Sequence, residues 1–145
     1  MRNLIVNIYL LAGAYQDGKT KKIKVWYLWL GVVLGIIFKI KDFFGTQEIT
    51  VWNFLLQLVP GILFFIGSKW TKNKIGEGDV WILLILGGCF TSMRIWSVLS
   101  LAVIFSAVFS LILIVGKKVE KTTEIPFVPF LWLADTVLWG MTYVG

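Results

Sequence analysis

The sequence KIGEGDVWILLIL, at residues 74–86, joins a short polar motif to an uninterrupted apolar run. Its last charged residue, Asp79, stands directly before the apolar residues, where a low dielectric disfavours the charged form of a carboxyl group. Gly76 and Gly78 precede it, and glycines allow backbone conformations and close chain approaches that larger residues do not. Taken alone, the motif favours a plain helix N-cap at Asp79. The rest of the chain must decide between a capping and a functional role.

The composition around this stretch predicts a membrane protein. Of the 145 residues, 58% are hydrophobic, and they include 8 Trp and 11 Phe. The mean hydropathy is +0.84. A soluble fold of this length cannot bury so much apolar surface, so we expect a lipid bilayer as the partner of that surface. The length suits a single domain, which we place at residues 1–145.

The polar composition narrows the chemistry. The chain contains one cysteine, Cys89, and no histidine. A disulfide framework, a zinc ribbon and catalysis by histidine are therefore excluded. We expect neither a metal nor a cofactor, and we interpret Cys89 as a packing residue. An enzyme with this composition would take its acid–base groups from carboxylates, lysine, tyrosine or water.

The apolar segments predict an all-α membrane protein, a polytopic bundle of about six transmembrane helices. The segments are 4–14, 25–38, 51–68, two within 80–116, and 125–145. Arg94 is the charged residue within 80–116, so we expect it to mark the turn between the fourth and fifth helices. Pro60 predicts a kink in the third helix, and Asn53 and Gln57 indicate its inward face.

Basic residues fall unevenly on the two sides of such a bundle. Ten of the 14 lie in loops on one side, namely Lys19, Lys21, Lys22, Lys24, Lys69, Lys72, Lys74, Lys117, Lys118 and Lys121. The positive-inside rule places these loops in the cytoplasm and both termini outside, so we expect a multi-pass protein of the cell membrane. The net charge of +6 then reflects topology and attraction to anionic lipid. A nucleic-acid partner is not expected.

This topology brings two carboxylates to one membrane depth. Asp17 follows the first segment and Asp79 precedes the fourth, both at the predicted cytoplasmic end. Two neighbouring carboxyl groups can share a proton, so that one acts as general base toward water and the other as general acid toward a carbonyl oxygen. The pair therefore indicates an aspartyl protease, whose mechanism needs no histidine, serine or metal.

These motifs resemble those of the type IV prepilin peptidase family, whose members are Gly-x-Gly-Asp membrane aspartyl proteases. Asp17, with Ile23 six residues later, resembles the first family motif, and residues 76–79, with Gly87, resemble the second. The sequence IPFVPF at residues 125–130 resembles the family's opening of the last span. The residues that depart from the pattern, where the family usually has Pro, Lys and Gly, are Lys24, Trp81 and Thr91.

The resemblance implies a substrate and a site. The substrate would be a prepilin-like precursor whose short basic leader precedes a hydrophobic helix and is removed at the cytoplasmic face. Asp17 and Asp79 would be catalytic, with Gly76 and Gly78 forming the motif backbone. The remaining acidic residues on that side are candidate leader contacts or solvated loop residues, and they are Glu77, Glu120 and Glu124. The chain resembles compact members that lack the N-terminal domain with paired cysteines.

Two other classes of protein remain open. A non-enzymatic membrane subunit, such as a transport or assembly factor, would use Asp17 and Asp79 as helix caps or lysine partners. A Gly-x-Gly-Asp protease acting within the membrane on other single-span helices is the second class. Presenilin-like enzymes of that kind pair the motif with Tyr-Asp in a neighbouring span, whereas this chain has YQD at residues 15–17.

A further acidic residue, Asp135, lies within the last apolar segment. It follows Glu124 by eleven residues, which corresponds to about 16 Å along a helix and places it near the middle of the bilayer. A scissile bond at the cytoplasmic face would be out of its reach. We expect Asp135 to stay protonated and to form a hydrogen bond with an inward-facing polar side chain such as Asn53 or Gln57, or to line a small water-filled cavity.

Overall fold

The computed structural model describes residues 1–45, 50–70, 76–116 and 126–145, and within these ranges the chain forms six α-helices and no strand. The helices are α1 (Arg2–Thr20), α2 (Val25–Phe44), α3 (Val51–Trp70), α4 (Glu77–Cys89), α5 (Ser92–Val115) and α6 (Val128–Val144). The all-α class predicted from the sequence is confirmed.

Several helix boundaries differ from the prediction, among them the end of α1 and the start of α5. α1 continues past the apolar segment 4–14 and carries Asp17 within its last turn. The break between α4 and α5 lies at Phe90 and Thr91, so the turn expected at Arg94 is wrong. Arg94 instead lies in the first turn of α5, where an ion pair with Asp135 stabilises its charge.

α4 lies at the centre of the bundle. It packs against α3 on one side and α2 on the other, whereas α6 packs against α1 and α5. Ile82, Leu83 and Leu86 of α4 are fully buried. A Cβ atom at Gly87 would collide with the carbonyl oxygen of Gln57, so this glycine lets α3 and α4 approach closely. The position of the α4 N-terminus is therefore fixed by helices on both sides.

Two contacts set the register of α1 against α6. The Val128 N–H, at the start of α6, donates to Asp17 Oδ2 over 3.2 Å. Farther along, Asn7 Nδ2 donates to Asp135 Oδ2 over 3.2 Å. Asn7 precedes Asp17 and Asp135 follows Val128, so the helices run antiparallel. The end of α1 and the beginning of α6 therefore lie together.

The outer surface of the bundle is apolar. α3 and α5 are long and apolar enough to cross a membrane, and only 22% and 17% of their most apolar windows are buried. Large side chains such as Trp29 and Trp52 are also exposed, each by 66%. This surface is suited to contact with lipid, because exposure of so large an apolar area to water is unfavourable.

Asp135 does not have the partners expected from the sequence. It is fully buried, and its Oδ1 forms an ion pair with Arg94 Nη2 over 2.7 Å. Gln57 instead accepts a hydrogen bond from Lys39 Nζ. Asp135 does accept a hydrogen bond from a polar side chain, that of Asn7, but the expected partners Asn53 and Gln57 are wrong. The reason is helix order: α6 packs against α1 and α5, whereas those two residues lie on α3.

Candidate active site

Asp17 and Asp79 line one cavity of about 450 Å³. The cavity lies between the end of α1, the connection to α2, the first turns of α2 and the first turn of α4. Its lining residues are Asp17, Lys21, Lys22, Ile23, Val25, Leu28, Gly76, Glu77, Gly78, Asp79 and Trp81. The structure thus brings together the two carboxylates that the sequence singled out. We call this space the carboxylate cavity.

Asp17 is held by the beginning of α6. Its side chain is buried, and its Oδ2 accepts the Val128 N–H, one of the amides at a helix start that lack an intrahelical acceptor. Burial raises the pKa of Asp17, and the N–H groups of Val128 and Phe127 lower it in part. The amides and the positive end of the α6 dipole therefore stabilise the carboxylate form of Asp17 and offset part of the effect of burial.

Asp79 lies in the first turn of α4 but does not cap it. The N-cap residue is Gly76, with no side-chain capping bond, and Asp79 follows it by three residues. The interpretation of Asp79 as an N-cap is therefore wrong. Like Asp17, it lies outside the apolar segments predicted to cross the membrane. Burial raises the pKa of Asp79 to about 7, and the nearby charge of Asp17 adds to this rise. Near neutral pH, Asp79 can therefore hold a proton.

The two motif glycines provide space rather than unusual backbone angles. No glycine in the described residues has a positive φ. A Cβ atom at Gly78 would lie 2.8 Å from Ile23 Cδ1, and one at Gly76 would lie 3.3 Å from Asp79 Oδ2. Ile23 follows α1 and packs against the first turn of α4. The glycine at 78 therefore lets the connection that follows α1 approach the first turn of α4, which carries Asp79.

The carboxylate cavity and its glycine motif fall within a region that matches a known family. The model of a family described as the type IV leader peptidase family matches residues 4–115. The chain belongs to the type IV leader peptidase family. This confirms the resemblance found in the sequence and supports a leader-peptidase-like protease. Comparisons with curated proteins and with solved structures found no match. The proline-containing opening of α6, at residues 126–130, lies beyond the matched region.

Of the three glutamates that are candidate leader contacts, the structure describes one. Glu77 is exposed and lines the carboxylate cavity, and it also lines an adjoining cavity of about 200 Å³ beside Lys69. Glu120 and Glu124 lie outside the described residues. The described ranges also contain no group of three or more His, Cys, Asp or Glu that could hold a metal ion.

The ion pairs among the described residues include neither carboxylate. Among residues 1–45, 50–70, 76–116 and 126–145, the ion pairs join Arg2 to Asp42 and Arg94 to Asp135. Neither Asp17 nor Asp79 forms an ion pair with a lysine of these ranges.

The sequence did not indicate three features of the site, namely two amides that bind Asp17 and one residue of the cavity wall. The Val128 and Phe127 amides are main-chain groups, which leave no side-chain signature, although the prolines at 126 and 129 mark the helix start that presents them. Trp81 appeared only as a departure from the family pattern, yet it forms part of the cavity wall.

Proposed function

We propose that this protein is a membrane aspartyl endopeptidase that removes the basic leader from prepilin-like precursors at the cytoplasmic face of the cell membrane. The observation that carries the proposal is the cavity that Asp17 of α1 and Asp79 of α4 line together. Membership of the type IV leader peptidase family supports the leader-containing substrate. The aspartic mechanism is supported by the carboxylate pair itself.

The two carboxylates have different surroundings, which suggests different roles. Asp17 receives main-chain N–H groups that favour its ionised form, so it is suited to act as the general base. Asp79 has a pKa raised to about 7 and is suited to hold the proton of the general acid. Together they share one proton near neutral pH, because two adjacent carboxylates do not ionise independently.

Hydrolysis then proceeds with one water and one peptide bond. Asp17 accepts a proton from the water, and the oxygen of that water attacks the carbonyl carbon of the scissile bond. Asp79 donates its proton to the carbonyl oxygen, which gives a neutral tetrahedral diol. The C–N bond breaks as the proton held by Asp17 passes to the leaving nitrogen and a diol hydroxyl returns its proton to Asp79. The products are a carboxylic acid and an amine, and the pair regains its starting state.

The surroundings of the cavity support a precursor that enters from the basic side of the bundle. Glu77 is exposed at the cavity and, with Glu120 and Glu124, is proposed to contact the basic leader. A six-helix, multi-pass arrangement with both termini outside would place this end in the cytoplasm. Gly76 and Gly78 would keep the first turn of α4 close to Ile23.

The test replaces each carboxyl group by an amide of the same shape. Asp17→Asn and Asp79→Asn should each reduce precursor cleavage by about 10²–10⁴-fold while the protein remains in the membrane, since positioned acid–base groups contribute in that range. Asp42→Asn is the matched control, because Asp42 pairs with Arg2 away from the carboxylate cavity. Cleavage is measured on membranes that contain a precursor, with protein amount monitored by immunoblotting.

The site of cleavage separates the remaining classes. Mass spectrometry of the product should place the cut between the basic leader and the hydrophobic helix. A cut inside the hydrophobic helix would indicate the intramembrane class. Absence of cleavage by the wild-type protein across precursors would favour the non-enzymatic class, and near-normal activity of Asp17→Asn or Asp79→Asn would remove that residue from the mechanism.

A further inference from the structure

A second, larger hollow lies beside the carboxylate cavity. It has a volume of about 540 Å³ and lies between α2 and α3, with α4 as its floor. We call it the lateral groove. Its lining includes Val32, Ile36, Lys39, Phe54, Trp81 and Leu84. Lys39 is the charged residue among the described lining, so the groove is almost entirely apolar.

Two glycines make the lateral groove deeper, because they carry no side chain that would fill it. Gly35 of α2 and Gly88 of α4 both line it, and a Cβ atom at Gly88 would lie 3.4 Å from Gly35 Cα. The two backbones are therefore in close contact where side chains would otherwise fill the space. An occupant can reach this depth with its own apolar side chains.

The lateral groove adjoins the carboxylate cavity. Trp81 lines both, two residues after Asp79. On α2, the cavity-lining residues Val25 and Leu28 are followed by the groove-lining residues Val32 and Ile36. Spacings of three and four residues put these side chains on one face of a helix. A single face of α2 thus leads from the carboxylates into the groove.

The shape and direction of this surface restrict what can occupy it. The groove lining on α2 runs from Val32 to Phe44, about 18 Å of helix or slightly more than three turns. An occupant should be elongated and apolar, and one of its ends should reach the carboxylates. A lipid chain is apolar but carries no peptide bond for Asp17 and Asp79 to cleave. A hydrophobic helix that begins at the scissile bond meets all three conditions.

We propose that the lateral groove binds the first turns of the hydrophobic helix that follows the leader, with Trp81 at the junction between helix and scissile bond. This proposal rests on the proposed function, because that function defines the precursor. The ridge of helix side chains enters the groove between α2 and α3, and the peptide bond before the helix lies in the carboxylate cavity. Binding of the helix then positions the scissile bond, as remote contacts do for other hydrolases.

Two neighbouring isoleucines provide a matched test of occupancy. Ile36 and Ile37 are 54% and 52% exposed, but only Ile36 lines the lateral groove. The photoreactive residue p-benzoylphenylalanine is placed at one position or the other in the Asp79→Asn protein, which is expected to retain the precursor uncleaved. Irradiation of membranes that contain the precursor should give an adduct from position 36 at least about fivefold more abundant than from position 37.

The adduct is detected by binding alone, so it does not depend on catalysis. Equal adducts from both positions, no precursor adduct from position 36, or an adduct of position 36 only with a second copy of this chain would each overturn the proposal. If the wild-type protein fails to cleave the precursor but position 36 still gives the adduct, the groove proposal stands as a binding site and the peptidase proposal fails.

Kinetics provide the second test. Ile36→Trp fills the groove, whereas Ile37→Trp adds the same bulk outside it. With the full precursor, Ile36→Trp should raise KM by about tenfold, because the larger side chain overpacks the groove and weakens binding of the precursor helix. With a short peptide that ends a few residues after the cleavage site, both variants should match the wild type. An equal effect of Ile36→Trp on both substrates, or no effect on either, would overturn the proposal.

Discussion

At the scale of single residues, Asp79 is the most unusual group of the described chain. It occupies the first turn of an apolar helix, and burial together with Asp17 raises its pKa from 3.8 to about 7. The folded protein therefore retains a proton that the unfolded chain releases at lower pH. Because the unfolded state binds fewer protons between these values, the free energy of unfolding decreases as the pH rises through them.

A pH series checks this directly. Asp79→Asn replaces the ionising group with a neutral one, so it should remove the part of the pH dependence that lies between about pH 4 and pH 7. At pH 8 we expect the variant to unfold in detergent roughly 3–10 °C above the wild type, although it no longer cleaves the precursor. Near pH 4 the two should unfold at similar temperatures.

Asp42→Asn is the control for this series and should show the wild-type dependence on pH, since Asp42 lies in a partly buried ion pair at another end of the bundle. Equal unfolding temperatures of Asp79→Asn and the wild type from pH 4 to pH 8 would show that the folded protein does not hold the proton on Asp79.

At the scale of helices and connections, the contact between Ile23 and Gly78 joins the connection that follows α1 to the first turn of α4. A Cβ atom at position 78 would lie 2.8 Å from Ile23 Cδ1 and 3.1 Å from Ile23 Cγ1. Gly78→Ala should therefore separate the connection after α1 from α4 and reduce cleavage by at least about tenfold, because small displacements of acid–base groups strongly affect rate.

Ile23→Ala removes both of the clashing atoms, so the double variant with Gly78→Ala should regain most of the lost activity. Gly18→Ala is the matched control. Gly18 also lies beside Asp17, but a Cβ atom there meets nothing within 4 Å. Failure of Ile23→Ala to rescue Gly78→Ala, or an equal loss in Gly18→Ala, would show that the glycine at 78 acts in another way.

The ion pair between Arg94 and Asp135 joins α5 to α6 away from the carboxylate cavity. Asp135→Asn leaves the Arg94 charge without its partner, and loss of one member of a buried pair costs about 3–5 kcal/mol of unfolding free energy. Replacement of both members, by Arg94→Met with Asp135→Leu, should recover most of that loss. Cleavage per folded molecule should remain near the wild-type level throughout.

Denaturation in detergent and cleavage assays on the same samples separate stability from chemistry for this pair. An Asp135→Asn protein that is as stable as the wild type but inactive would place Asp135 in the reaction.

Much of the helical fold could be predicted from apolar runs, and the rest depended on contacts that hydropathy does not encode. The predicted segments beginning at Val25 and Val51 match the first residues of α2 and α3. The extension of α1 through Asp17 was not predicted, because polar helical residues carry no hydropathy signal. The pairing of Asp135 with Arg94 depended on helix order, which composition alone does not determine.

The candidate site, too, could be predicted only in part from the sequence. Loop charges and motif spacing predicted that Asp17 and Asp79 lie at one end, and the structure places both in the carboxylate cavity. The catalytic role of the pair stays a prediction. The main-chain donors at Phe127 and Val128 were not predicted, since any residue except proline supplies the same N–H group.

At the scale of the whole molecule, the distribution of charge and apolar surface predicts its orientation in the membrane. Reporter fusions at Lys21, Lys72 and Lys118 should show a cytoplasmic location, and fusions at Lys41 and after Gly145 should show an external one. Alkaline phosphatase, which is active outside, and a fluorescent protein that folds inside give complementary signals. Opposite locations for the fusions at Lys21 and Lys72 would contradict the placement of both carboxylates at one membrane face.

The hydrogen bond from the Val128 N–H to Asp17 has a consequence for mutational tolerance. The bond comes from the peptide backbone, so position 128 can change its side chain and still supply the proton donor. Val128 is fully buried, so another apolar residue of nearly the same size, such as Ile, should be accepted there. Proline alone deletes the donor, and it does so while conserving much of the apolar volume. When every residue is tested at position 128 and active variants are selected by leader removal, other small apolar residues should therefore be recovered and proline should be absent.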